Sequence, residues 1–395
     1  MNALHRNAWR VCFFHALVMS LFPMAVISLF WKYEIGMSMT EIMISQACFG
    51  LAMAALEFPS GYVADRIGYR RTLLIASLLM AVGWSVYCFT TSLGAVLFAE
   101  VILGAAMSLV SGCDTALLYE SVKQSGDEER FHIWMGRYHI FGQTAEGTAA
   151  LAAGVLFAWW IRLPFVLEVG VWLAAACVAA TMVEPPRERP PMRGNWSQVQ
   201  SILRHVFQED LALRAVVALT IVFSMSTFLP VWLIQLYATD AGVPETWLGP
   251  IWAAANYMVA AGSFSSSRLR ALLGPVQTLA LGILLMLIGY LGLGLTHALY
   301  GFAFYFIVTF FRGLWYPIMH HAEQRLIPST DRAGFVSLRS MLFRLLFMVV
   351  GPCVGLALDH WGQHTVLLVL GPGLAALAAA GLITVQRRTQ LGGLE

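Results

Sequence analysis

The sequence predicts an all-α integral membrane protein whose twelve transmembrane helices form two pseudo-symmetric six-helix bundles. Three observations carry this. Of the 395 residues 59% are hydrophobic and 12% charged, against roughly 25% charged in a soluble domain, and the mean hydropathy is +0.71. Apolar runs of about 20 residues, the length that spans a bilayer as helix, follow one another almost end to end. The second half of the chain also repeats landmarks of the first in the same order.

Between polar or Gly/Pro breaks, the runs place spans at 9–32, 40–64, 71–91, 94–120, 137–160, 163–182, 211–238, 245–270, 274–296, 298–325, 333–357 and 362–386. Helix is the required form, because lipid offers no partner for an open backbone N–H or C=O. The run from Cys12 to Trp31 is too long for a signal-peptide core and no small-residue cleavage site follows it, so it reads as the first span. Basic residues set the orientation. With the N-terminus inside, Arg6, Arg10, Arg66, Arg70, Arg71, Lys123, Arg130, Arg268, Arg325, Arg387 and others fall on the cytoplasmic side, and only Lys32 and Arg162 fall outside. The expected location is the cell membrane, multi-pass, with both termini cytoplasmic. The net charge of +2 is thus a topology signal, and a nucleic-acid partner is not expected. The six cysteines are scattered through apolar spans without a CxxC pair, which reads as buried thiols rather than a disulfide framework or zinc site.

Composition divides the chain into an N-terminal bundle (1–183), a cytoplasmic linker (184–210) and a C-terminal bundle (211–395). The linker opens Glu184-Pro-Pro-Arg-Glu-Arg-Pro-Pro, which neither extends a helix nor enters lipid. Within it Trp196, Val199, Ile202, Leu203, Val206 and Phe207 recur at helical spacing, as in an amphipathic helix lying on the inner leaflet or packed beneath the bundle. The halves echo one another at offsets of about 200 to 210 residues. Gly36 to Thr40 matches Gly242 to Thr246. Pro23 breaks the first span as Pro230 is expected to break the seventh. Gly104 precedes Asp114 by the same interval as Gly313 precedes Glu323.

The loop after the second span reads Gly61-Tyr-Val-Ala-Asp65-Arg66-Ile-Gly68-Tyr-Arg70-Arg71. Gly61 would let a helix end close against a neighbour, and Gly68 would take a positive φ in the turn. Asp65 can accept from a helix N-terminus or an arginine, while Arg66, Arg70 and Arg71 anchor the turn at the anionic face. The motif, in this loop of a 6+6 layout, closely resembles the signature of the major facilitator superfamily. The resemblance implies transport by two rocking halves and a monomer. It also implies a cytoplasmic latch in which Asp65 meets the start of the eleventh span, near Ser337 and Arg339. Three departures narrow it. The second copy, Gly262-Ser-Phe-Ser-Ser-Ser-Arg268, lacks the acid, and Glu100 stands before Gly104 where the family's drug exporters carry arginine. The fifth span has Gly142, Gly147 and Gly154 but no Gly-Pro pair, so drug export by that mechanism is not expected.

An ionisable group at mid-membrane costs about 2.5–3.5 kcal/mol on insertion scales and needs a partner or a water-filled cavity. Glu57, Glu100, Asp114 and Glu146 lie in spans of the first half, Arg312 and Arg344 in spans of the second. All six are substrate or coupling candidates, against the alternatives of permanent inter-helix salt bridges and, for Glu57 and Glu100, polar span ends. Tyr305, Thr309, Tyr316, His320 and Gln235 are the cavity-lining candidates, a mixture of rings and hydrogen-bonding groups typical of a solute site. A metal is not expected, because adjacent His320 and His321 diverge by about 100° on a helix. The common phosphate-loop, HExxH and GxSxG signatures are missing, so neither an enzyme nor a cofactor is expected. The expected function is a secondary active transporter of a small organic solute, with anions among the candidates, moved through the bilayer by alternating access with protons as coupling ion. An uncoupled facilitator and a transporter-shaped receptor that binds without transport are the alternatives.

Overall fold

The computed structural model describes residues 3–186, 211–327 and 332–388. The described residues form helices and no strand, and helix covers each predicted span. Nine of these helices are long and apolar enough to cross a membrane. In chain order the longer helices of the fold, these nine and others, are α1 (Ala3–Met19), α2 (Met39–Ile67), α3 (Tyr69–Phe89), α4 (Leu93–Val110), α5 (Cys113–Gln124), α6 (Phe131–Trp159), α7 (Leu163–Thr181), α8 (Leu211–Asp240), α9 (Leu248–Leu273), α10 (Pro275–Leu295), α11 (Ala303–Leu326) and α12 (Arg332–Arg388). The last is two helices joined at Gly362, which sits at φ 75°. Most of the expected linker and its amphipathic segment (187–210) lies outside the described residues.

Two expectations need correction. The fourth span is two helices, because Gly112 takes φ 76° and breaks α4 from α5. The seventh is unbroken, with Pro230 inside α8. A helical proline orphans the carbonyl four residues back. Here that is Ser226 O, and the Tyr290 hydroxyl of α10 donates to it at 2.6 Å, so the break is repaired from a neighbour. At Pro23 the chain does leave the α-helix, through a 3₁₀ turn (Phe22–Ala25) and a π turn (Phe30–Glu34).

Surfaces run apolar outward. On α3, Ile75, Leu78, Leu79 and Val82 form an exposed stripe at helical spacing while Thr72 and Ser77 are buried. That is the pattern of a lipid-facing helix with its polar groups satisfied inside the bundle.

The described chain groups into two compact units, one drawn from 3–37, 41–186 and 245–250, the other from 38–40, 211–244, 251–327 and 332–388. In the first unit Arg162 acts as a clasp. Its guanidinium meets Glu34 at 2.9 Å and donates to the carbonyls of Tyr87, Cys88 and Thr90, which end α3. A cation suits a helix C-terminus, and the fork satisfies several orphan carbonyls together. Arg162→Ala is expected to destabilise the protein by about 1–3 kcal/mol, with lysine restoring only part because it lacks the fork. Thermal unfolding in detergent checks this.

The signature loop is held from a direction the sequence did not reveal. Glu184, read as the first linker residue, caps α3 by accepting from the backbone N–H of Tyr69 and Arg70 at 2.8 Å each. Gly68 sits at φ 97°, a conformation that favours glycine, and a Cβ there would come within 2.7 Å of the Glu184 carboxyl and push that cap aside. Gly61 lies inside α2, and among the described residues no atom would come within 4 Å of a Cβ there.

Candidate functional site

The polar stripe of the second unit comes from one helix. Residues 305, 309, 312, 316 and 320 recur at three- and four-residue steps along α11 and share one face. Tyr305 and Thr309 are buried, Arg312 and Tyr316 exposed, and His320 half-buried. The Tyr316 and His320 rings stack at 5.8 Å with their planes 4° apart. Arg312 stands roughly 20 Å from Leu299, near the middle of a span that runs from Leu299 to Leu326. An exposed guanidinium at that depth cannot face hydrocarbon without a large cost, so this face suits a water-filled cavity. Gln235 is buried on α8, and Arg344 is half-buried on α12.

The first unit holds its acids in separate settings. Asp114, in the first turn of α5, accepts the Tyr138 hydroxyl of α6 at 2.5 Å on Oδ2 and the Thr115 backbone N–H at 2.7 Å on Oδ1. His15 of α1 brings Nδ1 to 3.6 Å from the same Oδ2. Glu100 is 3% exposed on α4 and accepts from Tyr87 of α3 and from Gln46 of α2, the latter at 3.4 Å. Glu146 is half-buried and takes a 3.4 Å bond from Gln143 of its own helix. Glu57 is half-buried towards the end of α2. Of the signature loop, Gly61, Asp65, Arg66, Arg70 and Arg71 are exposed, and Arg66 lies 5.2 Å over the Tyr62 ring.

Several residues escaped the sequence reading. Glu168 is fully buried on α7, where Oε2 accepts the Phe22 backbone N–H at 3.1 Å and Oε1 the Trp172 indole N–H at 3.0 Å. It satisfies a donor freed where the first span leaves the α-helix. An acid inside the run 163–182 was the available signal. His15 and Tyr138 lie in predicted spans but carry no motif. In the second unit Glu323 is 1% exposed and meets Arg339 at 2.6 Å. The buried His320 Nδ1 and Glu323 Oε1 find no hydrogen-bond partner among the described residues. No group of three metal-ligating side chains occurs among the described residues.

Comparison with known proteins agrees with this architecture. A family model described as Major Facilitator Superfamily matches residues 9–352. YxaM of Bacillus subtilis (strain 168), an uncharacterized MFS-type transporter, is 24% identical over 225 residues, 55% of this chain and 55% of that protein. The match thus spans about half the length of that relative. Among solved structures, a mutant of the nucleoside transporter NupG has a TM-score of 0.82 at 11% identity, covering 97% of this chain and 100% of that one. A bacterial homolog of the human lysosomal transporter Spinster, inward-facing and unoccupied, has a TM-score of 0.77 at 12% identity, over 99% and 98%. A POT family transporter in complex with 5-aminolevulinic acid has a TM-score of 0.76 at 11% identity, over 98% and 97%. At such identities these likenesses show the fold alone.

Proposed function

The chain belongs to the Major Facilitator Superfamily, and from that membership we propose that it is a secondary active transporter of a small organic anion, working by alternating access with protons as the coupling ion. The observation that carries the solute class is the exposed Arg312 at mid-span, flanked on its face by Tyr316 and His320. A guanidinium is always charged and presents a planar fork that matches a carboxylate or phosphate in two hydrogen bonds. The adjoining rings offer apolar walls and a hydroxyl, which is how an organic anion is held and oriented. With no nucleotide-binding loop in the sequence, the driving force in this reading is an ion gradient.

The reading further takes the protein to be a monomer in the cell membrane with both termini on the cytoplasmic side, as the basic-residue distribution favours.

The test is proteoliposomes carrying an internal pH dye, challenged with a panel of labelled organic acids, amines, sugars and nucleosides. An acid is expected to enter with proton movement. Arg312→Ala is expected to weaken its apparent affinity about tenfold or more, the loss of one charge-assisted pairing, and Arg312→Lys to recover part of that. Neutral solutes moving equally well in wild type and Arg312→Ala would overturn the anion assignment. Solute exchange without proton movement would leave a facilitator, and binding without exchange a receptor.

A further inference from the structure

We infer that the proton is taken up in the first unit, at a site built by His15, Asp114 and Tyr138, and that the matching acid of the second unit is excluded from this role by its arginine. The inference rests on the transport reading above and adds to it the residues that hold the coupling ion.

The three side chains come from α1, α5 and α6 and are held tightly. The His15 and Tyr138 rings stack with centroids 3.5 Å apart and planes at 17°. Against the Nε2–Cδ2 edge of the imidazole lies Gly142, where a Cβ would stand 2.6 Å from Nε2 and 2.7 Å from Cδ2. The imidazole is therefore packed against a ring and against bare backbone. Its Nδ1 is buried, has no hydrogen-bond partner among the described residues, and faces Asp114 Oδ2 across 3.6 Å. An unpartnered imidazole nitrogen beside a carboxylate oxygen, just beyond hydrogen-bond range, is a contact completed by one proton. The Tyr138 hydroxyl already donates to Oδ2 and the Thr115 N–H to Oδ1, so the carboxylate is aimed and satisfied in its ionised form. Tyr138 is thus a positioning residue.

One proton from water adds to Nδ1, one N–H bond forms, and the imidazolium charge is balanced by Asp114. Nothing else is made or broken. The other ionisable groups nearby are Cys12 of α1, Cys113 of α5, and Arg137 and His139 of α6, the last exposed with its ring edge-on to Tyr138 at 5.5 Å. Cys113 donates to Tyr69 O of α3 at 3.5 Å, and the Arg137 guanidinium lies over the Trp9 and Trp134 rings at 4.8 and 4.6 Å. Across α5, Asn7 of α1 donates to Ser121 at 2.7 Å.

The site is coupled to a hinge. Asp114 follows Gly112, the left-handed residue that parts α4 from α5. Proton uptake on His15 draws α1 and the first turn of α5 together on one side of that break. Release loosens them. This gives the proton a two-state element to bias, which coupling requires.

In the repeat, Glu323 and Arg339 take the places of Asp114 and Tyr138 at offsets of about 200 to 210 residues. There the acid already has a guanidinium at 2.6 Å, a counter-ion that does not titrate.

The test reads the contact without any solute. Backbone hydrogen exchange of residues 113–124 and 131–142 in the purified full-length protein is compared at about pH 5.5 and about pH 7.5, either side of the ordinary histidine range, after correction for intrinsic rates. Protection is expected to rise at the lower pH by about fivefold or more, within the usual span of coupling energies. The rise is expected to vanish in His15→Gln, in Asp114→Asn and in Gly142→Ala, which displaces the imidazole while removing no polar group. His132→Gln, at the exposed start of α6, keeps it. Protection that ignores pH in the wild type, or a rise that survives His15→Gln, overturns the assignment. In the vesicle assay, acid-driven accumulation of a panel acid is expected to be lost in His15→Gln while downhill exchange persists. A structural role would depress both. Accumulation unchanged in His15→Gln sinks this site and leaves the transport reading standing. A pH-dependent rise with no panel acid moved upholds the site and counts against that reading.

Discussion

Arg339→Leu is expected to cost about 3–5 kcal/mol, because it strands the buried Glu323 carboxylate without its counter-ion. Glu323 is 1% exposed and Arg339 15%, so the acid bears the larger desolvation and the arginine can still reach water. The two losses are therefore unequal. Removing the acid in Glu323→Leu is expected to cost less than removing the arginine, since a freed guanidinium on a long stem snorkels toward a polar surface. The double variant Glu323→Leu/Arg339→Leu is expected to recover most of the deficit, as buried ion pairs replaced together by apolar groups often do. Thermal unfolding of the four proteins in one detergent closes the cycle. A double variant as unstable as Arg339→Leu would show that the pair itself, rather than relief of a stranded charge, holds α11 to α12.

How far the sequence reached depends on the kind of signal. The spans were legible because a bilayer imposes length and apolarity on every crossing helix, and Gly36, Gly68, Gly242 and Gly274 all take positive φ where turns were needed. The break at Gly112 was not legible. A glycine in an apolar run looks the same whether it packs a helix or ends one. Pro230 misled in the opposite sense, because the Tyr290 hydroxyl that repairs it lies far along the chain. The candidate charges were found by their cost in lipid, a rule that flags Asp114 and Arg312 but not the neutral groups around them. His15 and Tyr138 complete the proton site through stacking and distance, which leave no spacing to read. Glu168 was legible in principle. Glu184 was assigned to the linker by its prolines, and only the fold shows that it reaches back to cap α3.

Gly313→Val is expected to be the most damaging single substitution in α11, costing about 3 kcal/mol or more and leaving little folded protein. A Cβ at Gly313 would fall far inside van der Waals contact with the Val259 carbonyl oxygen and 2.7 Å from the Ser263 nitrogen, and one at Gly262 would collide in turn with Phe310 O. The obstacles are backbone, so no rotamer change relieves them and α9 and α11 must separate. In a membrane, helix association relies on such close approach of small residues, because burial of apolar surface gives little advantage over lipid. The first unit shows the same device, with Gly104 of α4 against Phe49 O of α2. Gly170→Ala is the contrast. Among the described residues no atom would come within 4 Å of its Cβ on α7, so alanine there is expected to be neutral or to stabilise by about 0.5–1 kcal/mol through helix propensity. Arg312 is the next residue to Gly313, so whatever Gly313→Ala protein folds is expected to bind a panel acid less tightly, since the displaced helix carries the guanidinium with it. Weakened affinity in Gly313→Ala with full affinity in Gly170→Ala would tie the solute face of α11 to the glycine contact at its edge. Equal affinity in both would mean that the helix yields elsewhere and leaves Arg312 where it was.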